Sequence, residues 1–233
     1  MNLFKKINSP KSQKMDKLYT LCNNIQIAFQ SLLWILFFFW LDFDLYTYIL
    51  NDYFIIKIIF GIFLMFSHLN LFQNLYRLIE RDSIYKSNND KELENISEKH
   101  YYTSCKKCNV FRPIRTHHCR YCNKCILEMD HHCFILNKCI GKNNYKIFIK
   151  YLIFVEFNTS LIFGSSLYVS YNYYSQLSLY RLIKYVLLSL ASFIGSVSLY
   201  FYLIFQAYLC LSNLTTLEFL YPKLRLTNRK IDS

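Results

Sequence analysis

A segment rich in cysteine and histidine carries the side chains of this sequence that are best suited to chemistry. Seven of the nine cysteines in the 233-residue chain fall between Cys105 and Cys139, where Cys-x-x-Cys steps are mixed with histidines. Such short steps aim two sulfurs at one tetrahedral ion, and Zn²⁺ readily takes this mixture of thiolate and imidazole ligands. The segment is therefore predicted to bind metal.

The number of possible ligands leaves one cysteine over. Two closed zinc sites, each built from three cysteines and one histidine, would use six of the seven cysteines. The spare thiol is most economically placed at Cys133, because the neighbouring imidazoles and the carboxylate of Asp130 would favour a nucleophilic thiolate. Spacing alone leaves two questions open: whether Cys133 binds metal while another cysteine is spare, and which histidine of each adjacent pair is the ligand.

Long apolar segments on both sides of this region must position it. The chain is 54% hydrophobic and 19% aromatic, which is typical of membrane-embedded rather than soluble proteins. Four weakly charged segments approach or exceed the roughly 17 to 25 residues that a helix needs to cross the hydrocarbon core. A chain of this length could not hide four such helices inside a soluble core. The predicted spans are residues 25–41, 58–76, 157–180 and 185–211.

The distribution of lysine and arginine predicts which side of the membrane each loop faces. The N-terminal segment and the loop from Arg77 to Lys146 are rich in basic residues, whereas the connector 42–53 has three aspartates and no basic residue. By the positive-inside rule, both termini and the cysteine-rich loop are cytosolic. The net charge of +12 then suits anionic headgroups and soluble anions. No nucleic-acid partner is expected, because the basic residues show no recognition-helix pattern.

These observations together predict the organisation of the chain. The fold class is an all-α polytopic membrane protein, in which a cytosolic cysteine-rich domain with two structural zinc ions lies between the second and third of four transmembrane helices. Disulfides are rare in that reducing compartment, which favours the metal-binding interpretation. The predicted parts are a cytosolic segment 1–24, two spans within 25–76, a cytosolic loop 77–146 with its core at 105–148, two spans within 147–211 and a cytosolic tail 212–233.

The core segment also carries a family resemblance. Residues 105–148 read CKKCNVFRPIRTHHCRYCNKCILEMDHHCFILNKCIGKNNYKIF. This pattern resembles the cysteine-rich domain of the DHHC protein S-acyltransferases, or palmitoyltransferases, which carry it between the second and third of four spans. The segment from Asn213 to Glu218 also resembles the TTxE motif of that family. Two motifs differ from the family pattern: Phe134 and Ile135 stand where the family usually has Pro-Trp, and Asp82-Ser83-Ile84 stands where many members have Asp-Pro-Gly.

The resemblance implies a role for each of these residues, which spacing left open. Both zinc ions would be structural, because four protein ligands fill each coordination shell. One ion would be held by Cys105, Cys108, His118 and Cys125, and the other by Cys119, Cys122, His132 and Cys139. Cys133 would then be the acyl-accepting nucleophile, His131 its general base, Asp130 the group that orients the imidazole, and Thr216 a hydrogen-bond donor to Asp130.

The resemblance further implies the substrates and the location. Acyl-CoA, such as palmitoyl-CoA, would donate a long-chain acyl group through an acyl-enzyme thioester to cytosolic cysteines of membrane-associated proteins. Arg112, Arg115 and His117 match positions that meet the phosphates of CoA. The expected location is an endomembrane, in the Golgi or endoplasmic reticulum, or the plasma membrane, with the active site on the cytosolic side. The alternative from another class is a membrane-bound zinc module that only recruits proteins.

Overall fold

Three long apolar helices dominate the part of the chain that the structure, a computed structural model, describes. That part comprises residues 54–86 and 102–224. Within these ranges, the helical segments Ile58–Glu80, Tyr145–Asn172 and Leu179–Leu211 are long and apolar enough to cross a membrane. The prediction of membrane-spanning helices is confirmed for these three, whereas the first predicted span, 25–41, lies outside the described residues.

The helix bounds differ from the predicted spans. Helix α1 runs over Phe54–Glu80, α2 over Tyr145–Asn172 and α3 over Leu179–Leu211. The third span was predicted to begin at residue 157, because Lys146, Lys150 and Glu156 raise the polarity of the preceding turns. These turns are nevertheless helical, since their other face carries the buried side chains of Phe148 and Leu152.

Polar side chains link the three helices within their apolar surroundings. The Asn158 side chain of α2 donates to the Ser67 hydroxyl of α1 at 3.0 Å. On another face of α2, Glu156 accepts a hydrogen bond from Ser196 of α3 at 2.6 Å. Such contacts hold helices together in a membrane, where apolar burial between helices contributes little.

The cysteine-rich segment folds as three small antiparallel hairpins. The first hairpin pairs β1 (Tyr102–Cys105) with β2 (Val110–Pro113), the second pairs β3 (His117–Cys119) with β4 (Lys124–Ile126), and the third pairs β5 (His131–Cys133) with β6 (Lys138–Ile140). The prediction of an all-α class was therefore wrong for this segment. Closely spaced metal ligands favour short strands and turns over helical turns, and the strands are too short to show a period of two.

A turn with the same feature closes each hairpin. Asn109, Asn123 and Asn137 have positive φ angles of 54°, 51° and 46°, a left-handed conformation that asparagine tolerates better than most residues. Each asparagine follows the first cysteine of its hairpin, Cys105, Cys119 or Cys133, at the same distance in sequence. The three hairpins are therefore copies of one short structural repeat.

The third hairpin is fastened to the ends of the helices. Leu136 and Ile140 pack with Leu75 and Leu78 of α1 and with the first turns of α2, and Cys133 lies against this cluster. Asn144, which is fully buried, donates to the carbonyls of Arg81 and Cys139 at 3.1 and 3.0 Å. Its side-chain oxygen accepts from Ser83 and from the Gly141 amide at 3.0 and 2.9 Å. This network fixes the hairpin relative to α1 and α2.

Replacing Gly141 with alanine is expected to destabilise this junction. A Cβ atom at Gly141 would lie 2.5 Å from the Leu127 carbonyl oxygen and 3.1 Å from Ser83 Cβ, and such overpacking typically costs about 1–3 kcal/mol. Thermal unfolding of the detergent-solubilised protein measures the effect. Gly164→Ala on α2 is the matched control, because no atom lies within 4 Å of its added Cβ. Equal unfolding temperatures for the two variants would contradict the prediction.

Candidate active site

Two groups of cysteine and histidine side chains could each hold a metal ion. The first comprises Cys105, Cys108, His118 and Cys125, and the second comprises Cys119, Cys122, His132 and Cys139. Within each group, all four ligand atoms lie within 4.8 Å of one another. The structure thus brings together the same two sets of four that the family resemblance implied.

The distances within each group suit a zinc ion. Tetrahedral geometry with Zn–S near 2.3 Å and Zn–N near 2.0 Å places sulfur and nitrogen about 3.5 Å apart. His118 Nδ1 lies 3.7 and 3.2 Å from the sulfurs of Cys105 and Cys108. His132 Nδ1 lies 3.6, 3.4 and 3.5 Å from its three cysteine sulfurs. Both groups therefore fit a Cys3His zinc site, and four protein ligands at each leave no position for a substrate.

The hairpin repeat explains why Cys133 belongs to neither group. Each site takes two cysteines from the first strand and turn of one hairpin and completes its shell with a histidine and a cysteine from the next hairpin. In the third hairpin, Leu136 occupies the position that Cys108 and Cys122 hold in the other two. Helix α2 follows, and the described residues contain no fourth hairpin that could supply further ligands. Cys133 therefore occupies the position of a first ligand, but the other three ligands that would complete a metal site around it are missing from the described part of the chain.

Three neighbouring side chains form a line that ends at the Cys133 sulfur. Asp130 Oδ2 lies 2.7 Å from His131 Nδ1. A carboxylate can only accept, so Nδ1 carries the hydrogen and Nε2 is left for the thiol. The imidazole and the Cys133 thiol are hydrogen-bonded partners. Asp130 is 3% exposed and His131 is 21% exposed, so the carboxylate is shielded while the imidazole remains accessible from solvent.

The pKa values of the two reacting groups move in opposite directions. Burial alone would raise the pKa of the Cys133 thiol, but hydrogen bonds from His131 and from the backbone amides of Leu136 and Ile135 lower it below its usual value. Burial would lower the pKa of His131, but the hydrogen bonds with Asp130 and Cys133 raise it to about 9. Both shifts favour a thiolate–imidazolium pair, the reactive form of a cysteine nucleophile.

The segment after α3 supports Asp130. The Thr216 amide donates to Asp130 Oδ1 and the Thr216 hydroxyl donates to Asp130 Oδ2, both at 2.8 Å. Thr216 is the first residue of the short helix α4, Thr216–Leu220. Gln206 of α3 lies beside the Thr216 hydroxyl and accepts from the Tyr145 hydroxyl at 2.9 Å. The orientation of the carboxylate therefore depends on α3, α4 and the start of α2.

Arg115 is bound within the protein. Its Nε and Nη2 atoms each donate to the Glu218 carboxylate at 2.9 Å. Further bonds reach the Asn213 side chain at 3.4 Å and its carbonyl at 3.2 Å. Burial would raise the pKa of Glu218, but Arg115 and the Thr215 amide hold it below its usual value. Arg115 therefore links the turn before the second hairpin to α4, and the phosphate contact that the resemblance implied stays a prediction.

Arg112 and His117, the other two predicted phosphate contacts, have buried nitrogen atoms without partners. Arg112 Nη1 and His117 Nε2 are shielded from solvent and have no hydrogen-bond partner in the described part of the chain. Burial and the positive charge of Arg112 lower the pKa of His117, and the effect of Arg112 indicates that the two groups are close. The Arg112 guanidinium can only donate, and an unpaired buried donor of this kind is suited to an anionic ligand.

Sequence reasoning missed two residues of this site. Gln206 is only 1% exposed and supports Thr216, and its signal was the presence of an amide in an otherwise apolar span. Glu218 was recognised only as part of the TTxE motif. Its capping box with Thr215, in which each side chain binds the other's backbone amide at 2.9 and 3.2 Å, was readable from the spacing Thr-x-x-Glu.

Comparisons with known proteins agree with this site. The family model for the DHHC palmitoyltransferase matches residues 98–223, which include both cysteine–histidine groups, the Asp130–Cys133 line and α4. Palmitoyltransferase PFA3 of Candida albicans is 33% identical over 165 residues, an alignment that covers 63% of this chain and 43% of that protein. The chain thus spans less than half the length of this relative. Because the family match covers more than half of the chain, the protein belongs to the DHHC palmitoyltransferase family.

Proposed function

We propose that this protein is a protein S-acyltransferase that moves a long-chain acyl group from acyl-CoA to a cysteine of a protein substrate through a thioester on Cys133. The observation that carries the proposal is the position of Cys133. It lies outside both metal-binding groups, at the end of the Asp130–His131 line. A thiol held this way is an activated nucleophile rather than a structural ligand.

In the first half-reaction, the Cys133 thiolate attacks the carbonyl carbon of the acyl thioester. A bond forms between that carbon and Cys133 Sγ, and the bond to the sulfur of CoA breaks. The proton on His131 Nε2 neutralises the CoA thiolate as it leaves. Asp130 keeps the other nitrogen, Nδ1, protonated and stabilises the imidazolium.

In the second half-reaction, the substrate cysteine takes the acyl group. His131 Nε2, now neutral, accepts the proton of the substrate thiol, and the resulting thiolate attacks the Cys133 thioester. Cys133 leaves as a thiolate beside the imidazolium, which restores the starting state. Exchange between two thioesters is nearly neutral in energy, so alignment and thiolate formation are the main contributions of the protein.

The donor would lie across the membrane surface. Transfer of an acyl chain into hydrocarbon is favourable by about 0.8 kcal/mol per methylene, whereas the phosphates of CoA require water. Cys133 packs against the cluster formed by the ends of α1 and α2, where both requirements are met. Arg112, whose buried Nη1 has no partner among the described residues, would donate to the phosphates, and His117 and Arg115 stay the other two predicted contacts.

The charge distribution supports a cytosolic active site, and that position limits the class of substrate. The loop between the second and third spans is basic, so we place the active site on the cytosolic side of an endomembrane or the plasma membrane. The substrates would be membrane-associated proteins with a cytosolic cysteine close to the bilayer. Two structural Zn²⁺ ions would hold the hairpins and would take no part in bond making.

Incubation of the purified protein with labelled palmitoyl-CoA tests the proposal. We expect label on the protein that neutral hydroxylamine releases, followed by its transfer to an added cysteine-containing, membrane-tethered peptide. A matched peptide with serine in place of cysteine should receive no label. Unlabelled wild-type protein that contains two zinc ions would contradict the enzyme and would favour a module that only recruits proteins.

Replacement of Thr216 with valine is expected to slow the loading of palmitate by about tenfold to a hundredfold. The substitution removes a hydrogen bond to a buried carboxylate, and such bonds to charged groups contribute about 1.5–3 kcal/mol. Single-turnover loading of labelled palmitoyl-CoA measures the rate. Thr216→Ser retains the hydroxyl and should load almost as fast as the wild type. A normal loading rate for Thr216→Val, with unchanged zinc content, would show that the Thr216 hydroxyl is not needed to position Asp130.

A further inference from the structure

The tips of the three hairpins offer an internal comparison. In each hairpin, the two residues after the first cysteine form the tip, and a left-handed asparagine closes the turn. The tip is Lys106-Lys107 in the first hairpin, Arg120-Tyr121 in the second and Phe134-Ile135 in the third. The same backbone position therefore changes from two cations, through a cation and an aromatic ring, to two apolar side chains.

The third tip lies at the level where the spanning helices end. Leu136, the next residue, is 6% exposed and packs with Leu75 and Leu78 in the last turns of α1. Lys138, on the other side of the turn, forms an ion pair of 2.7 Å with Asp82, just beyond α1. Phe134 and Ile135 are nevertheless 68% and 82% exposed. A turn with one side chain in the core thus presents two apolar side chains outward at the level where α1 ends.

The second tip has the composition of a membrane interface. Tyr121 is 48% exposed, and its ring lies 4.8 Å from the ring of Phe134 on the neighbouring tip. The Arg120 guanidinium lies 4.8 Å above the Tyr121 ring and donates to its hydroxyl at 2.7 Å. Aromatic rings with a polar end, together with arginine, concentrate at the level of lipid headgroups.

We propose that these tips form a lipid-contacting edge, in which Phe134 and Ile135 enter the acyl-chain region of the adjacent leaflet and Arg120 and Tyr121 lie among its headgroups. The partner is an anionic lipid leaflet. Helix α1, on whose last turns Leu136 packs, also exposes apolar side chains, and Leu69 and Tyr76 are each 60% exposed. The order of the tips from apolar to basic matches the order from hydrocarbon through headgroups to water. A water-facing protein partner would not require that order.

The leaflet contact would add a second attachment of the active-site hairpin, beside its packing on α1 and α2. Cys133 directly precedes the apolar tip, so insertion of Phe134 and Ile135 fixes the depth of the sulfur relative to the lipid. This role does not depend on acyl transfer, because the tip would contact lipid in the absence of any acyl donor.

Tryptophan reporters at equivalent positions of the three tips test the proposal. The chain has two tryptophans, Trp34 and Trp40, and both are replaced by phenylalanine. Lys107→Trp, Tyr121→Trp and Ile135→Trp are then made singly in the full-length protein and placed in nanodiscs of phosphatidylcholine with phosphatidylserine, without acyl-CoA. Quenching by lipids brominated on the acyl chain and by acrylamide in water is measured for each reporter. Phe134→Trp is a second reporter on the third tip, so the result does not depend on one variant.

We expect brominated lipids to quench Ile135→Trp and Phe134→Trp strongly and acrylamide to quench them weakly. Lys107→Trp should show the reverse, and Tyr121→Trp should fall between. Strong acrylamide quenching at the third tip, equal to that of Lys107→Trp, would overturn the proposal. Protection of the third tip from both quenchers would also overturn it, because the tip would then be covered by protein rather than by lipid.

Discussion

Replacement of Cys133 with serine is expected to eliminate hydroxylamine-sensitive labelling by palmitoyl-CoA and to reduce peptide acylation by at least about a thousandfold. Cys133 is the described cysteine that adjoins the His131 imidazole and lies in neither metal-binding group. A serine hydroxyl has a far higher pKa than a thiol, so the same imidazole could not generate the nucleophile. The zinc content should stay at two ions per chain, since all eight ligands remain.

Cys210 supplies the matched control. It is an exposed cysteine near the end of α3 and belongs to neither metal-binding group, so Cys210→Ser should load palmitate at the wild-type rate. If Cys133→Ser retained full labelling while Cys210→Ser lost it, the nucleophile would be misassigned. If Cys133→Ser lost both the label and zinc, Cys133 would be a metal ligand. Each outcome is read from the same two measurements, label and metal content.

The chemistry of the site was largely readable from residue types and spacing. The Cys-x-x-Cys steps indicated metal, and seven cysteines indicated a spare thiol, because two Cys3His sites would use six of them. Spacing could not assign individual ligands, since His117 and His118 are adjacent, as are His131 and His132. The backbone separates them: in an extended strand neighbouring side chains point to opposite faces, so one histidine of each pair faces the metal and the other faces away.

The equal spacing of the hairpins was present in the sequence and was overlooked. Cys105, Cys119 and Cys133 recur at one interval, and so do Asn109, Asn123 and Asn137. This repeat would have predicted three turns of one kind and placed Leu136 where a third cysteine pair would need its second member. The fold class would then have included hairpins, and Cys133 would have been identified as the spare thiol without reference to any family.

Other features depend on contacts between residues far apart in sequence. Arg115 had been assigned to phosphate because a guanidinium suits phosphate geometry, but a carboxylate offers the same two-oxygen geometry. The pairing with Glu218 depends on how α4 packs against the turn between the first and second hairpins, which local sequence does not specify. The start of α2 at Tyr145 was likewise hidden, because its charged turns are stabilised by tertiary packing of Phe148 and Leu152 rather than by apolarity alone.

Loss of metal from the second group is expected to abolish palmitate loading. Loss of metal from the first group is expected to reduce palmitate loading less. His132 stands between His131 and Cys133 in β5, and its partner Cys139 lies opposite in β6. Cys139→Ser should therefore release one zinc ion and free the strand that holds both reacting groups. Cys108→Ser should also release one ion, but it frees the first hairpin, which carries none of the Asp130–Cys133 line. Zinc content and single-turnover palmitate loading of the two variants provide the comparison.

The scale of the effect follows from what a structural ion contributes. Binding of Zn²⁺ to a closed site is worth about 10–16 kcal/mol of apparent free energy in small zinc domains, which is as large as the total stability of a typical domain. Since both shells are closed, the ion should act through folding alone. Protein reconstituted with Co²⁺, which also accepts tetrahedral sulfur and nitrogen ligands, should load palmitate at nearly the zinc rate and show tetrahedral absorption bands. A large difference in loading rate between the Zn²⁺ and Co²⁺ forms, at equal metal content, would mean that metal takes part in the chemistry, and full loading after both ions are removed would show that neither is needed.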